Sequence, residues 1–455
     1  MKLNMLLEGI EILETRNALD SDVKGVAYHS KRVKEGYIYV AIKGYKTDGH
    51  LYIGEALEKG AVAAVVEEFS DLPIHQIRVA NSRVALSRLG ANLYGHPSKS
   101  IRTVGVTATN GKTTTTFILD RIFELAGFKS GVIGSVLNKT GGRIETAELT
   151  TPESLDLQGL FSEMLGNGIT RASMEVSSSA LELYRTNDID FDIVSFANFS
   201  REHIDQHGSF ERYWEVKSSL VRNAKGSAIA VLNVDDDRIA SLREQTKAKV
   251  VTYSISGDNG DILCKGVTLI KGRANYQVIV KKDIDLGEVT IKKGDFKISL
   301  GIPGYHSVEN AMAATVIALA DGIPVNIIID ALNSFKGVER RFEFIFEDDF
   351  IIVDDHFANV KNINSTLSTL ADMEKNKLHI VYAIRGNRGT TVNRENAEAL
   401  VYWRDKLGIN DLVATRSIGA VGWKDEVAPE EEQVFKEVIS QTDLRLKVLI
   451  HLRKL

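Results

Sequence analysis

Apolar and polar positions fall into two repeating patterns along this chain. Short β-branched runs, TVGVT (103–107), SMEVS (173–177), DIVSFANF (192–199), AIAVLNV (228–234) and VVTYSI (250–255), alternate with longer stretches of helical period. TTTTFILDRIFELAG (113–127) is the clearest of these helices and stops at Gly127. Such alternation predicts a parallel, doubly wound sheet. Residues 262–300 instead alternate β-branched and charged residues between glycine turns, an antiparallel excursion, and SVENAMAATVIALADG (307–322) reads as a helix. Ahead of this block, YIYVAI (37–42) and AVAAVVEE (61–68) are strand-like around a helical IGEALEKGA (53–61), and GHPSKS (95–100) reads as a linker. Beyond Phe335, FIIVDD (350–355), LHIVYAI (378–384) and DLVATRS (411–417) are strands separated by helices. The prediction is an α/β protein of three domains, 1–97, 98–334 and 335–455, with a central phosphate-loop sheet and a Rossmann-like C-terminal domain.

Composition agrees. With 455 residues, 44% hydrophobic and 26% charged, about three cores can be buried. The 56 Lys+Arg against 61 Asp+Glu give a net charge of −5, which argues against a nucleic-acid partner held on a basic surface. The lone Cys264 excludes an internal disulfide and any multi-cysteine metal site. No apolar run approaches about eighteen residues, and the opening MKLNMLLEGIEILET is unlike a signal peptide, so a soluble, cytoplasmic, monomeric chain is expected.

One segment carries chemistry by itself. A strand, a turn holding Gly111 and Lys112, and a threonine-rich helix start make a phosphate cradle: backbone N–H groups and the helix dipole face an anion. Lys112 adds a point charge and Thr113 offers a hydroxyl to Mg²⁺. The general phosphate-loop pattern wants glycine where Val106 stands, so the context, rather than the full motif, carries this reading. A plain Gly-Lys turn capping a helix is the alternative.

VTATNGKTTTT (106–116) resembles the T-G-T-N-G-K-T/S-T loop of the Mur ligases and folylpolyglutamate synthetases, departing at Ala108. SKRVKEGYIYVAIKGYKTDGH (30–50), LTTPESLDLQ (149–158), MEVSSSALELYR (174–185), NFSREHIDQHGSFERYWEVKSSL (198–220) and VERRFE (338–343) follow in the order of the tripeptide-forming members of that family. The resemblance implies ATP binding by Thr109, Asn110, Gly111, Lys112, Thr113, Thr114, Asn310, Arg341 and Asp354, with Asn310 near the adenine. It implies two Mg²⁺ sites, one at Thr113 and Glu175 and one at Glu175, His203 and a carbamylated Lys217. Lys112, Glu175, His203 and Lys217 form the catalytic set. Ser30, Thr150, Thr151, Ser177 and Arg185 fall on positions that meet a UDP-linked precursor.

Each of these has a blander reading. Glu175 could be a surface acid, His203 a loop histidine, Lys217 a solvated helix lysine, and the serines and threonines caps or turn residues. Ser179 stands where the family has histidine, and Arg340 where it has glycine. The resemblance thins in the third domain. Asp354-Asp355-His356-Phe357-Ala358-Asn359 displaces the histidine of D-Y-A-H-T/N-P, and no D-N-P-R follows LVATRS. Arg385, Arg388 and Arg416 are the candidates for an acceptor carboxylate. The implied activity is an ATP-dependent ligase that adds a free amino acid to a UDP-linked cell-wall peptide through an acyl phosphate. The alternatives are a pseudomurein-type or specialised-metabolism ligase of the same family, and a non-catalytic nucleotide-binding module. Membrane and nucleic-acid partners are not expected.

Overall fold

A computed structural model describes residues 1–17, 22–44, 47–200, 207–270, 272–357, 359–422 and 425–450. Its contacts divide the chain into two units. One comprises Met1–Lys265, Gln277–Phe296 and Glu309–Ala331; the other comprises Gly266–Tyr276, Lys297–Val308 and Leu332–Leu455. Among the described residues no helix is long and apolar enough to cross a membrane.

The first unit holds two sheets. In the N-terminal one, β1 (Glu14–Arg16), β2 (Gly25–Ala27), β3 (Tyr37–Val40), β4 (Ala61–Val66) and β5 (His75–Arg78) lie in the order β1-β5-β4-β3-β2, parallel except for β1. The run AVAAVV is buried on both faces, as a central parallel strand requires. Helix Ser82–Tyr94, absent from the sequence reading, covers one face; Asn81 caps it and Gly95 ends it at φ 70°. The segment read as a linker contains a short turn, Pro97–Ser100, with Pro97 and Ser98 buried.

The central sheet is built around β6 (Arg102–Thr107). From there the chain runs to β7 (Ser130–Ile133), β8 (Leu137–Lys139), β9 (Ile144–Thr146), β10 (Arg171–Glu175), β11 (Ile193–Phe196), β12 (Ile229–Asn233) and β13 (Lys249–Ser254). The parallel strands lie in the order β13-β12-β11-β6-β10-β7, so the winding reverses at β6, as the doubly wound prediction required. The crevice beyond the carboxyl end of such a strand is where ligands bind. Strands β14 (Ile262–Ile270) and β15 (Arg273–Val280) are neighbours in the sheet order.

Close packing fixes β6. A Cβ on Gly105 would stand 2.7 Å from the Phe191 ring, so no larger residue fits the strand centre. Next to it, Phe196 stacks on Trp214 at 5.7 Å, and Phe199 meets Tyr213 and Trp214 at 5.1 Å each. These rings seat helix Phe210–Arg222 against the sheet and fix where its buried Lys217 emerges.

In the second unit, β21 (Ile380–Ala383), β22 (Asp411–Thr415) and β23 (Arg445–Leu449) form a parallel sheet. Its core includes Ile363, Leu367, Tyr382, Leu400, Trp403 and Phe435. FIIVDD is a strand, but it does not join that sheet. Its β20 (Ile351–Asp354) pairs antiparallel with β19 (Glu343–Glu347), and Ile351 and Ile352 are exposed. An apolar run this short does not by itself distinguish a buried strand from a hairpin arm.

Phe199→Ala should remove the ring that bridges sheet and helix, at a cost of about 3 kcal/mol. Urea denaturation checks this; an unchanged midpoint would show that the aromatic cluster does not hold the helix.

Candidate active site around the phosphate loop

The loop after β6 is held from three sides. Asn198, just beyond β11, pairs reciprocally with Asn110: Asn110 N donates to Asn198 Oδ1 and Asn198 Nδ2 to Asn110 O, both at 3.0 Å. Thr109 Oγ1 accepts from Ser200 N at 2.9 Å. Gly111 sits at φ 84°, and a Cβ there would come 1.8 Å from Asn310 Oδ1. Glycine is therefore required twice, for conformation and for space. Asn310, expected near the adenine, rests against the phosphate loop itself.

Helix Lys112–Leu125 begins directly after this turn, and Gly111 provides no side-chain cap. Its first N–H groups form an anion cradle, with Thr113 buried and Thr114 half-buried. Lys112 Nζ donates to Ala108 O at 2.9 Å and Thr109 O at 3.1 Å, which keeps its charge on the loop.

Glu175 ends β10 level with Val106 of β6 and is 1% exposed, so the surface-acid reading is excluded. Its Oε1 accepts from Ser135 N at 2.7 Å and Oε2 from Ser135 Oγ at 3.0 Å. A Cβ on Gly134 would stand 2.4 Å from Oε1, so glycine opens the space for that carboxylate. The predicted precursor residues gather here. Ser135 Oγ and Thr150 Oγ1 lie 3.3 Å apart, Thr151 Oγ1 donates to Glu175 O (2.9 Å), and Ser177 N to Thr151 Oγ1 (3.1 Å). Arg185 donates to Thr151 O at 2.9 Å and pairs with Glu153 at 2.8 Å. Ser177 also caps its short helix, so the bland reading of that residue holds beside the functional one.

Ser30 lies outside this network, in the short helical turn Ser30–Arg32 that follows β2, where it donates to Glu55 at 2.9 Å. Tyr28 and Arg32, on either side of it, both reach Asp156. Sequence reasoning missed Ser135, Asn198 and Glu153; Ser135 and Asn198 follow strand ends and Glu153 precedes helix Ser154–Gly166, and only the fold brings out those positions.

Lys217 is 1% exposed, so it is no solvated helix lysine. Its Nζ donates to Ala108 O at 2.6 Å and Thr107 Oγ1 at 3.2 Å, and lies 5.5 Å from the Tyr213 ring centroid. The amine therefore reaches the phosphate loop. His203 lies outside the described residues. Nearby His207 is buried, stacked on Tyr213 and 3.1 Å from Glu182. Thr113 and Glu175 are hard oxygen donors of the kind Mg²⁺ takes, and both flank the loop. Among the described residues, no three His, Cys, Asp or Glu side chains form a metal cluster.

In the second unit the structure brings Arg341, Arg385 and Arg388 around His356. Desolvation, followed by the fields of Arg385 and Arg341, pushes this imidazole down to about 4. Burial raises Asp354 above the usual carboxylate range, against the opposing field of Arg340. Arg341 is flanked by Arg340 at φ 59° and Phe342 at φ 52°. Arg340 thus occupies a left-handed position, which accounts for the family's glycine there. Arg416 is committed elsewhere: it pairs with the buried Glu432.

The decisive observation comes from relatives. The chain is 37% identical over 391 residues to a UDP-N-acetylmuramoyl-L-alanyl-D-glutamate–2,6-diaminopimelate ligase of Caldanaerobacter subterraneus subsp. tengcongensis, covering 85% of this chain and 78% of that protein. The chain belongs to the Mur ligase family. The Mur ligase middle-domain model matches residues 106–318, and the model described as Mur ligase family, catalytic domain, matches 22–94. A Bacillus velezensis ligase of the same name is 34% identical over 414 residues, covering 89% of this chain and 82% of that one. A solved structure of a ligase with that name superposes with TM-score 0.70 at 23% identity, over 100% of this chain and 89% of its own. MurF from Thermotoga maritima, solved with ADP, gives 0.61 at 22% identity over 94% of each chain. As a Mur ligase, the protein is an ATP-dependent acid–amino-acid ligase, of the type that extends a UDP-linked cell-wall peptide.

Two outcomes follow from this geometry. Gly111→Ala should weaken ADP binding at least about tenfold, ~1.4 kcal/mol, by calorimetric titration; unchanged affinity would show that the Gly111–Asn310 contact is irrelevant to the loop. For His356 the folded value, about 4, lies below the unfolded ~6.5. The unfolded chain therefore binds the extra proton between those limits, and stability falls as pH drops through that window. His356→Gln should flatten that slope in denaturation midpoints measured from pH 7 to 4; an identical slope would contradict the desolvation argument.

Proposed function

We propose that this Mur ligase joins the amino group of a diamino acid to the carboxylate of a UDP-N-acetylmuramoyl dipeptide, the substrates named for its relatives. The observation that carries the reading is the continuous network from Glu175 through Ser135, Thr150, Thr151 and Ser177 to Arg185, which begins beside the phosphate loop. Residues 1–97 and the Thr150–Arg185 network would hold the precursor, 98–334 the ATP, and 335–455 the incoming amino acid.

The chemistry has two steps. A precursor carboxylate oxygen attacks the γ-phosphorus of ATP and ADP leaves, giving an acyl phosphate. The amine then attacks the acyl carbon, the C–O bond to phosphate breaks, and phosphate departs as the amine proton passes to solvent. The transferring group is met by the loop N–H groups and Lys112; positioning and fixed charge do most of the work. Mg²⁺ would neutralise developing phosphoryl charge, held by Thr113 and Glu175 at one site and by Glu175, His203 and a carbamylated Lys217 at the other. A carbamate nitrogen keeps a single N–H, so on modification Lys217 would retain only one of its two donated bonds, to Ala108 O or to Thr107 Oγ1. Asn310, Arg341 and Asp354 would complete the nucleotide contacts. Arg385 and Arg388 would receive the amino acid's carboxylate. Arg416 is the weakest acceptor candidate, because Glu432 already neutralises it.

The missing D-N-P-R segment favours a second reading, in which the same ligase chemistry serves a different amino acid, as in a pseudomurein-type or specialised pathway. Phosphate release with the muramoyl dipeptide and a panel of amino acids separates the readings. Release only with diaminopimelate supports the first, and release only with another amino acid supports the second. ATP binding without release in any combination would leave a nucleotide-binding module. Lys217→Ala should reduce turnover by at least about a hundredfold, and ¹³C-bicarbonate should give a carbamate resonance in wild type only. Wild-type turnover by Lys217→Ala would overturn the carbamate assignment.

A further inference from the structure

The segment Ala-Pro-Glu-Glu-Glu (428–432) opens helix Pro429–Ser440 with three acids in its first turn. Such acids ordinarily face water and complement the helix dipole. Glu430 does so, but Glu431 is 3% exposed. Its carboxylate accepts four backbone N–H groups. Oε1 takes Gly389 N at 2.7 Å and Arg388 N at 2.8 Å; Oε2 takes Ala428 N at 2.9 Å and Asn387 N at 3.1 Å. One side chain therefore caps two helices: its own, through Ala428, and Gly389–Leu407, whose N-cap Arg388 supplies no side-chain cap.

The start of a helix behind a glycine-rich turn, Arg385-Gly386-Asn387-Arg388-Gly389, is a common seat for a ligand anion. Here the chain fills that seat itself. The rest of the turn is equally fixed. Asn393, fully buried, accepts from Arg385 N at 3.1 Å and donates to Arg385 O at 2.8 Å and Gly389 O at 3.1 Å. A Cβ on Gly386 would stand 2.2 Å from Asp425 O, so the turn is pressed against the 425–426 backbone. The backbone N–H groups of Arg385, Asn387, Arg388 and Gly389 are therefore all taken by side chains of the protein itself.

We propose that Glu431 is a positioning residue for the acceptor amino acid. By occupying the helix end it locks the 385–389 turn, so that the side chains of Arg385 and Arg388, rather than the backbone N–H groups, receive the acceptor's carboxylate. This rests on the acceptor role given to those arginines above. Burial opposes ionisation of Glu431, but the N–H groups of Ala428, Gly389, Arg388 and Asn387 outweigh it and hold the carboxyl below its usual range. The internal anion is therefore present throughout neutral pH.

Steady-state kinetics with meso-diaminopimelate, ATP and the muramoyl dipeptide test the idea, with the full-length chain as Glu431→Ala, Glu431→Gln and the exposed control Glu430→Ala. Glu431→Ala opens a carboxylate-sized gap, so KM for the amino acid should rise about tenfold with KM for ATP unchanged, and formate should restore it. Glu431→Gln, which keeps the shape but sets an NH₂ group against N–H donors, should move KM the same way without formate rescue. Amide hydrogen exchange at 387–389 should quicken in Glu431→Ala and slow again with formate. An unchanged amino-acid KM in both variants, or equal rises for ATP and amino acid without formate rescue, would overturn the proposal. A wild-type chain that releases no phosphate with any amino acid would overturn the ligase reading instead, and exchange at 387–389 would still show whether Glu431 locks the turn.

Discussion

Everything in the central sheet depends on how closely the backbone can approach at one turn. The phosphate loop must present a row of N–H groups at the end of β6, and it can do so only because Gly111 leaves room for Asn310 and adopts φ 84°. Asn198 and Ser200 hold the other side of the turn by hydrogen bonds to Asn110 and Thr109. The loop is thus braced by β11 and by helix Tyr305–Ala320, two elements remote in sequence. A cradle fixed before the nucleotide arrives spends little binding energy on ordering itself, which is the condition for electrostatic catalysis.

The sequence made this part of the molecule legible because local and global signals coincide there. β-branched runs, a glycine turn and a threonine-rich helix start occur in a single stretch, and the doubly wound order then puts Glu175 beside the loop without further assumption. What stayed hidden depends on contacts across strands. Ser135 and Asn198 are ordinary polar residues until the strand order places them against Glu175 and Asn110. Lys217 looked like a surface lysine on pattern alone; its burial follows from the aromatic seat of Phe196, Phe199, Tyr213 and Trp214, whose effect is not periodic. FIIVDD is the strand its pattern predicts, but its antiparallel partner Glu343–Glu347 was not legible, because a short apolar run does not state its partner. His203 lies outside the described residues, so its placement adds nothing to that comparison.

The second unit follows a different logic, in which charges are met from within. Glu432 neutralises Arg416, and Glu431 fills the end of helix Gly389–Leu407. Arg341, Arg385 and Arg388 surround His356, and burial and their fields hold its imidazole well below its ordinary value. Arg340, in the left-handed region at φ 59°, lies in this same unit. The bulk charge of −5 says little about the local fields in either unit.

In the proposed reaction, phosphate is transferred to the precursor's carboxylate before the amide forms. Labelling that carboxylate with ¹⁸O and analysing the released phosphate by mass spectrometry tests it directly. One labelled oxygen is expected in each phosphate formed with amide product; phosphate carrying no label would contradict an acyl phosphate.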